Sequence, residues 1–313
     1  MSEATFRIAV VGAGRMGRVH IAALERSREV EVAAVVEPVE STRNEFARRG
    51  VPAFATVPDL LADAAIDGML IAAPADQHLE LVEMLAGASV PVLCEKPVGT
   101  RAADAAAAAA AVQRAGIAFQ VGYWRRFVPE LRALRERIAD GKLGEILQIS
   151  CLQWDAEPPS AQFRAHSGGI AVDMAVHEFD QARWLTGQEV SSVAALPGGE
   201  DLSGDPDVAA IVARLDGGTL LTVSLGRIFP DGDCCWIEVF GTTRYERVPF
   251  MWGAPGDEVF RAALVAQAEA FAAAVRGGKA AGAGATDAVG ALAAAELAKD
   301  ALRDGARREV ARA

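Results

Sequence analysis

Arg7-Ile8-Ala9-Val10-Val11-Gly12-Ala13-Gly14-Arg15-Met16-Gly17 is the stretch whose reading decides the fold. Arg7 to Val11 reads as a strand, and Gly12 to Gly17 fit G-x-G-x-x-G at the start of a helix over Met16 to Glu25. The pattern alone is weak in a chain with 30 glycines. Its setting of strand, turn and helix gives it weight. The first glycine permits the tight turn, the second lets backbone approach a pyrophosphate at the helix N-terminus, and the third lets helix and strand pack closely. A second β-branched strand, Val30 to Val36, ends at Glu37, 20 residues past Gly17. There an acidic side chain would hold the ribose diol of an adenosine. A carboxylate repels a 2′-phosphate and so favours NAD, while Arg15, Arg43 or a reoriented Glu37 leaves NADP open. The expected cofactor contacts begin with Gly12, Ala13, Gly14, Arg15, Met16, Gly17 and Glu37.

Outward from this stretch, short apolar runs alternate with helical patterns as far as Val121. Gly68 to Ala72 and Val90 to Cys94 are continuous apolar runs, as in strands buried on both faces. Helices are expected over Val39 to Arg49, His78 to Ala86 and Arg101 to Ala115, and a last strand over Ile117 to Val121. Such alternation predicts an α/β, doubly wound parallel sheet, a Rossmann dinucleotide-binding domain over residues 1–121. After Gly122 the style changes. A helix with Phe127, Leu131, Leu134 and Ile138 at helical spacing precedes a strand over Leu143 to Leu152. A proline-containing loop follows, then a long helix over Gly169 to Leu185 and four strands in succession. Leu221, Val223 and Leu225 alternate with Thr222 and Ser224, the mark of a sheet with two unlike faces. Two helices close the chain. Residues 122–313 are therefore expected to form an α+β domain with a largely antiparallel, open sheet.

Composition narrows the classes. The 313 residues are 51% hydrophobic and 23% charged, with a formal charge of −11, which argues against nucleic-acid or anionic-membrane partners. The alanine-rich stretch from Ala102 to Val112 is too short to span a bilayer. Met1-Ser2-Glu3-Ala4-Thr5 has no basic-then-apolar leader, and Cys94, Cys151, Cys234 and Cys235 lack C-x-x-C spacing. Free thiols in the cytoplasm are the expectation.

Asp173 and His177 stand four residues apart on one expected helix and share a face. Histidine titrates near neutrality and suits proton transfer, and Asp173 can orient it or bind a hydroxyl. Lys96 follows a buried strand at the usual ligand edge of such a sheet. Asp173, His177 and Asp180 share a face that could also hold a metal, but the cysteine pattern gives no support and no metal is expected. His20 reads as packing, and Trp154 and Trp236 most simply as core.

With these residues in hand, the chain resembles the glucose-fructose oxidoreductase / inositol dehydrogenase / MocA family. The resemblance rests on Glu95-Lys96-Pro97 after the glycine loop, on Ala72-Ala73-Pro74-Ala75-Asp76-Gln77-His78, on Gly122-Tyr123-Trp124-Arg125-Arg126-Phe127, and on Gly168 to His177 continued by Phe179 to Leu185. It implies NAD(P)-dependent oxidation of a secondary hydroxyl of a cyclitol or sugar, inositol-dehydrogenase-like. It also implies a homodimer or homotetramer formed through the open sheet. Lys96, Asp173 and His177 are then the catalytic set. Ala73, Pro74, His78, Glu95 and Lys96 extend the cofactor pocket, and Trp124, Arg125, Trp154 and His166 are expected near substrate. The chain departs from the family pattern at Ala73, where threonine is frequent, at Trp124, and at Trp154-Asp155, where Arg-Asp is frequent. A non-catalytic NAD(P)-binding sensor and an NAD-dependent glycoside hydrolase are alternatives on the same fold.

Overall fold

The structure is a computed structural model that describes residues 4–198 and 205–310. Two compact units are formed. The first takes residues up to Gly99 with Asp104–Trp124 and Arg261–Thr286. The second takes Thr100–Ala103, Arg125–Phe260 and the chain from Asp287 onward.

In the first unit the apolar runs become strands. β1 (Phe6–Val11) leads through the glycine turn into α1 (Arg15–Leu24), followed by β2 (Val30–Val36) and α2 (Glu40–Arg48). Next come β3 (Ala53–Phe54), α3 (Val57–Asp63), β4 (Gly68–Ile71), α4 (His78–Gly87), β5 (Val92–Cys94), α5 (Ala102–Ala115) and β6 (Phe119–Val121). The sheet order is β3-β2-β1-β4-β5-β6, and every neighbouring pair is parallel. The order reverses at β1, so the crevice outside the carboxyl ends of β1 and β4 is the ligand position for an open sheet of this kind. Sequence reading did not contain β3 and α3. The Thr56 side chain caps α3 by accepting from the Asp59 N–H, a local signal within an otherwise short and unpatterned segment. Phe6, Ile8, Val10, Leu24 and Phe46 form the core with Ala268, Phe271 and Ala272. The single expected boundary after residue 121 does not contain this return of residues 261–286 to the first unit.

The second unit begins with α6 (Pro129–Ala139), β7 (Ile146–Trp154) and α7 (Ala161–Ser167). A π-helical turn, Ala171–Ala175, then runs into α8 (Val176–Thr186). β8 (Val190–Gly198), β9 (Val208–Leu215), β10 (Leu220–Gly226), β11 (Cys234–Gly241) and β12 (Tyr245–Trp252) follow. α9 (Gly253–Val275), α10 (Ala285–Asp304) and β13 (Arg308–Glu309) end the described chain. The sheet order is β12-β11-β7-β10-β9-β8-β13, antiparallel except for the parallel pair β7–β10. Register aligns Ala195, Ile211, Val223, Cys151, Ile237 and Val248 across the sheet, and all six are buried. All four cysteines are buried and free. Among the described residues no helix is long and apolar enough to cross a membrane.

Candidate active site

The glycine turn is shaped by contacts that a side chain would destroy. Gly12 has φ +90°, and a Cβ there would lie 2.8 Å from the Ala72 backbone. A Cβ on Gly17 would lie 1.9 Å from the Gly12 carbonyl oxygen, so α1 sits directly on the turn. Gly14, the N-cap of α1, has nothing within 4 Å of where its Cβ would be. Arg15 is exposed and Met16 half-buried beside it. The turn thus offers backbone N–H groups at a helix N-terminus with open space before them, which is what a pyrophosphate requires.

Glu37 directly follows β2 beside this turn and is largely buried. Its Oε2 accepts from the Ala13 N–H at 2.9 Å and its Oε1 from the Val39 N–H at 3.0 Å. An ionised carboxylate has about four lone-pair positions, so acceptor capacity remains for a vicinal diol. Arg43, one of the cations that leave NADP open in the sequence, donates to the carbonyls of Glu37 and Pro38 at 2.9 and 2.6 Å. Its guanidinium is bound to the loop backbone. These residues fit a dinucleotide.

Two buried histidines frame the next strand end. His78, at the start of α4, places Nδ1 2.7 Å from the Pro97 carbonyl oxygen and Nε2 2.8 Å from that of Ala73. It thereby joins the loop after β4, which carries Ala73 and the exposed Pro74, to the loop after β5. Burial holds its pKa below the ordinary histidine value, against the pull of the two carbonyls and Glu95. His20 meets Glu95 at 2.7 Å. Burial raises the Glu95 pKa, but the hydrogen bond from His20, the His20 and Lys96 charges and the Lys96 N–H together hold it below the usual carboxylate value. Lys96 is half-buried, and the Lys96–Pro97 peptide is cis.

In the second unit, Asp173 lies in the π-helical turn and His177 in the first turn of α8. The single α-helix expected over Gly169 to Leu185 is thus two differently wound segments. The wider turn carries one of the expected catalytic residues, and such turns occur frequently at functional sites. His177 is buried. Arg227, which the sequence reading did not single out, is fully buried and stands 3.7 Å from Asp173 (Nη2 to Oδ2). Its Nη1 donates to Asp205 at 2.9 and 3.0 Å, and Asp205 also accepts from the Ile170 N–H at 2.7 Å, at the entry to the π turn.

Four residues were expected near substrate. Arg125 is 3% exposed, and its guanidinium donates to Glu178 (2.6 Å), Gln181 (3.0 Å) and Gln153 (2.7 Å) while lying 5.2 Å from the Phe250 ring centroid. This geometry makes it an interior brace between α8 and the sheet. Its type and place in the motif signal proximity to the helix but not the direction of the side chain. Trp154 takes the other direction. Gln153 faces Arg125, so the next residue on β7 points to the other sheet face. There the Trp154 indole donates to Ser224 Oγ at 3.0 Å and its ring covers Gly226. Trp124 is buried in a 3₁₀ turn, Trp124–Phe127. His166 is exposed on α7, a helix whose Ser160 cap accepts from the Phe163 N–H, where the sequence reading placed a loop.

Residues 6–123 match the model of an oxidoreductase family with an NAD-binding Rossmann fold, and residues 131–245 match the GFO/IDH/MocA C-terminal domain. The chain belongs to the GFO/IDH/MocA family. It is 46% identical over 303 residues to a rhizopine catabolism protein MocA of Rhizobium meliloti, covering 95% of both chains. It is 31% identical over 245 residues to an inositol 2-dehydrogenase of Rhizobium meliloti strain 1021, covering 76% of this chain and 74% of the relative. A myo-inositol dehydrogenase structure from Corynebacterium glutamicum superposes with a TM-score of 0.88 at 25% identity, covering 99% of this chain and 100% of that one. This GFO/IDH/MocA oxidoreductase therefore has the family's NAD-binding Rossmann sheet followed by a mostly antiparallel sheet, as its sequence implied.

Proposed function

We propose that the chain oxidises a ring secondary hydroxyl of a cyclitol or sugar to the ketone, with NAD as acceptor. The observation that carries this reading is the dinucleotide cradle of Gly12, Gly14, Gly17 and Glu37. The substrate class is supported by the likeness to an inositol 2-dehydrogenase. NAD, when bound, accepts the hydride from the carbinol carbon. The remaining chemistry is assigned to the chain. His177 takes the hydroxyl proton as general base. Lys96 donates a hydrogen bond to the reacting oxygen and stabilises the charge that grows on it. Asp173 accepts from substrate hydroxyls and fixes their orientation. The first unit binds cofactor and the second binds substrate. Trp124 and His166 are assigned to the substrate surroundings on sequence grounds.

The second sheet supports assembly into a homodimer or homotetramer. Register places Leu196, Val212, Leu220, Phe240 and Tyr245 on the face opposite the buried row, and all five are exposed. A patch of this kind marks an interface, and light scattering would give its stoichiometry. The place of action is proposed to be the cytoplasm.

The test is NADH appearance at 340 nm against inositols, aldoses and their deoxy analogues, with NAD and NADP in parallel. NADH formation from a ring polyol, lost in Lys96→Ala and His177→Ala, is expected. No turnover across the panel by protein that still binds NADH would overturn the reading.

A further inference from the structure

The side of α1 that meets the sheet is marked by Gly17, His20, Ile21 and Leu24, four of its five buried residues, spaced i, i+3, i+4 and i+7. Three of these are the glycine and aliphatic residues a Rossmann helix requires there. His20 is the exception. It is 1% exposed, its Nε2 lies 2.7 Å from Glu95 Oε1, and its Nδ1 has no hydrogen-bond partner among the described residues. Packing alone does not account for it, since an aliphatic side chain would fill this stripe without leaving a nitrogen unsatisfied.

The partner tells why a histidine stands there. Glu95 is itself 6% exposed, at the end of β5. Its second oxygen, Oε2, accepts from the Lys96 N–H at 3.2 Å. The carboxylate therefore links the His20 ring to the backbone from which the Lys96 side chain departs. Gly122 leaves the room for it, because a Cβ there would lie 2.7 Å from Glu95 Oε1. Since a carboxylate only accepts, Nε2 carries the proton. Every contact in this chain of groups lies within the first unit.

We propose that His20 is a positioning residue for the reaction. It holds the Glu95 carboxylate, and Glu95 in turn fixes the backbone at Lys96, so that α1 and the catalytic lysine are set by one buried pair. The inference rests on the assignment of Lys96 to the reacting oxygen. A misplacement of about 1 Å at a reacting group costs on the order of a hundredfold in rate, so a lost brace appears in kcat before it appears in cofactor affinity.

The test compares His20→Ala, His20→Gln, Glu95→Gln and the double variant His20→Ala/Glu95→Gln. NAD is the acceptor and the substrate is the panel polyol giving the fastest NADH formation. NADH affinity is measured separately by fluorescence titration. His20→Ala should lower kcat by about a hundredfold, with NADH affinity within about twofold of the parent. His20→Gln, whose amide also donates, should recover at least about a tenth of the parental rate. The double variant should be no slower than the slower single, because both changes cut one link. A kcat for His20→Ala within about threefold of the parent overturns the proposal. So do rate losses that multiply in the double variant, or a loss matched by an equal loss of NADH affinity. If His20→Ala does not fold, His20→Gln against Glu95→Gln gives the same comparison. Lys96→Ala separates the two levels of argument: wild-type turnover there removes the site assignment, whereas an inactive Lys96→Ala beside a fully active His20→Ala removes only the role of His20.

Discussion

Asp173 Oδ2 and Arg227 Nη2 stand 3.7 Å apart, and the arginine is sealed from solvent altogether. The separation is an ion pair without a direct hydrogen bond. Arg227 is anchored instead through Nη1 to Asp205, which also accepts from the Ile170 backbone at the start of the π turn. One buried cation thus ties the end of β10 to the segment that carries Asp173.

Removing that cation takes a buried positive charge from beside Asp173 and Asp205, and Asp205 keeps Arg164 at 3.3 Å. Breaking a buried pair from one side costs about 3–5 kcal/mol. Arg227→Met is therefore expected to lower thermal stability by several degrees, with a further loss of turnover because the Asp173 turn loses its anchor. Arg227→Lys keeps the charge but not the planar fork and should lose less stability. Thermal melts of both variants beside the parent check the order; equal melting temperatures for all three would refute it.

The glycine turn separates binding from folding. Gly14→Ala puts a methyl group into space that the protein leaves open. It should change stability by less than about 1 kcal/mol while weakening NADH binding roughly tenfold or more, since backbone can no longer approach the pyrophosphate. Gly17→Ala drives a Cβ into the Gly12 carbonyl and should lower stability and binding together. Melting temperature and NADH fluorescence titration on the two variants give the comparison.

Arg125 and Glu178 form a second buried pair, 2.6 Å apart. Burial works against the Arg125 charge, and Glu178 more than restores it. Arg125→Met should cost about 3–5 kcal/mol by leaving the Glu178 carboxylate unpaired. Adding Glu178→Gln to it should return part of that loss, because the unpaired buried carboxylate is then gone. Denaturant midpoints measure both steps.

His78 makes stability depend on pH. Its pKa is depressed in the folded state, chiefly by burial. The unfolded chain therefore binds the proton more readily, and this contribution is present above the free value of about 6.5 and declines as pH falls through it. Melting temperature should fall between about pH 7 and pH 5.5, and the fall should be shallower in His78→Asn. A parallel pair of curves would assign the dependence to other groups.

Legibility in the sequence followed the range of the interactions. β4 and β5 were plain because strands buried on both faces are continuous apolar runs. α3 and α7 escaped notice because seven residues give too little periodicity, and their signals, the Thr56 and Ser160 caps, are single side chains. β12 contains Pro249 and lies at the sheet edge, where proline is tolerated; that proline hid it from a reading by strand composition. The parallel pairing of β7 with β10 joins segments distant in sequence, and no local pattern encodes it.

The sequence by itself determined the dinucleotide cradle and the family. The glycine turn, its helix and Glu37 belong to one short strand–helix–strand unit whose geometry follows from residue type and spacing. Tertiary structure decided which way the larger side chains act. Alternation along β7 tells that Gln153 and Trp154 face opposite ways, but only the packing of α8 tells which face it covers, and so turns Arg125 inward and sends Trp154 to the other side. The same holds for His20 and Arg227, each ordinary in its own segment. Folding buries each against a carboxylate far away in the chain, where a polar group persists only beside its partner.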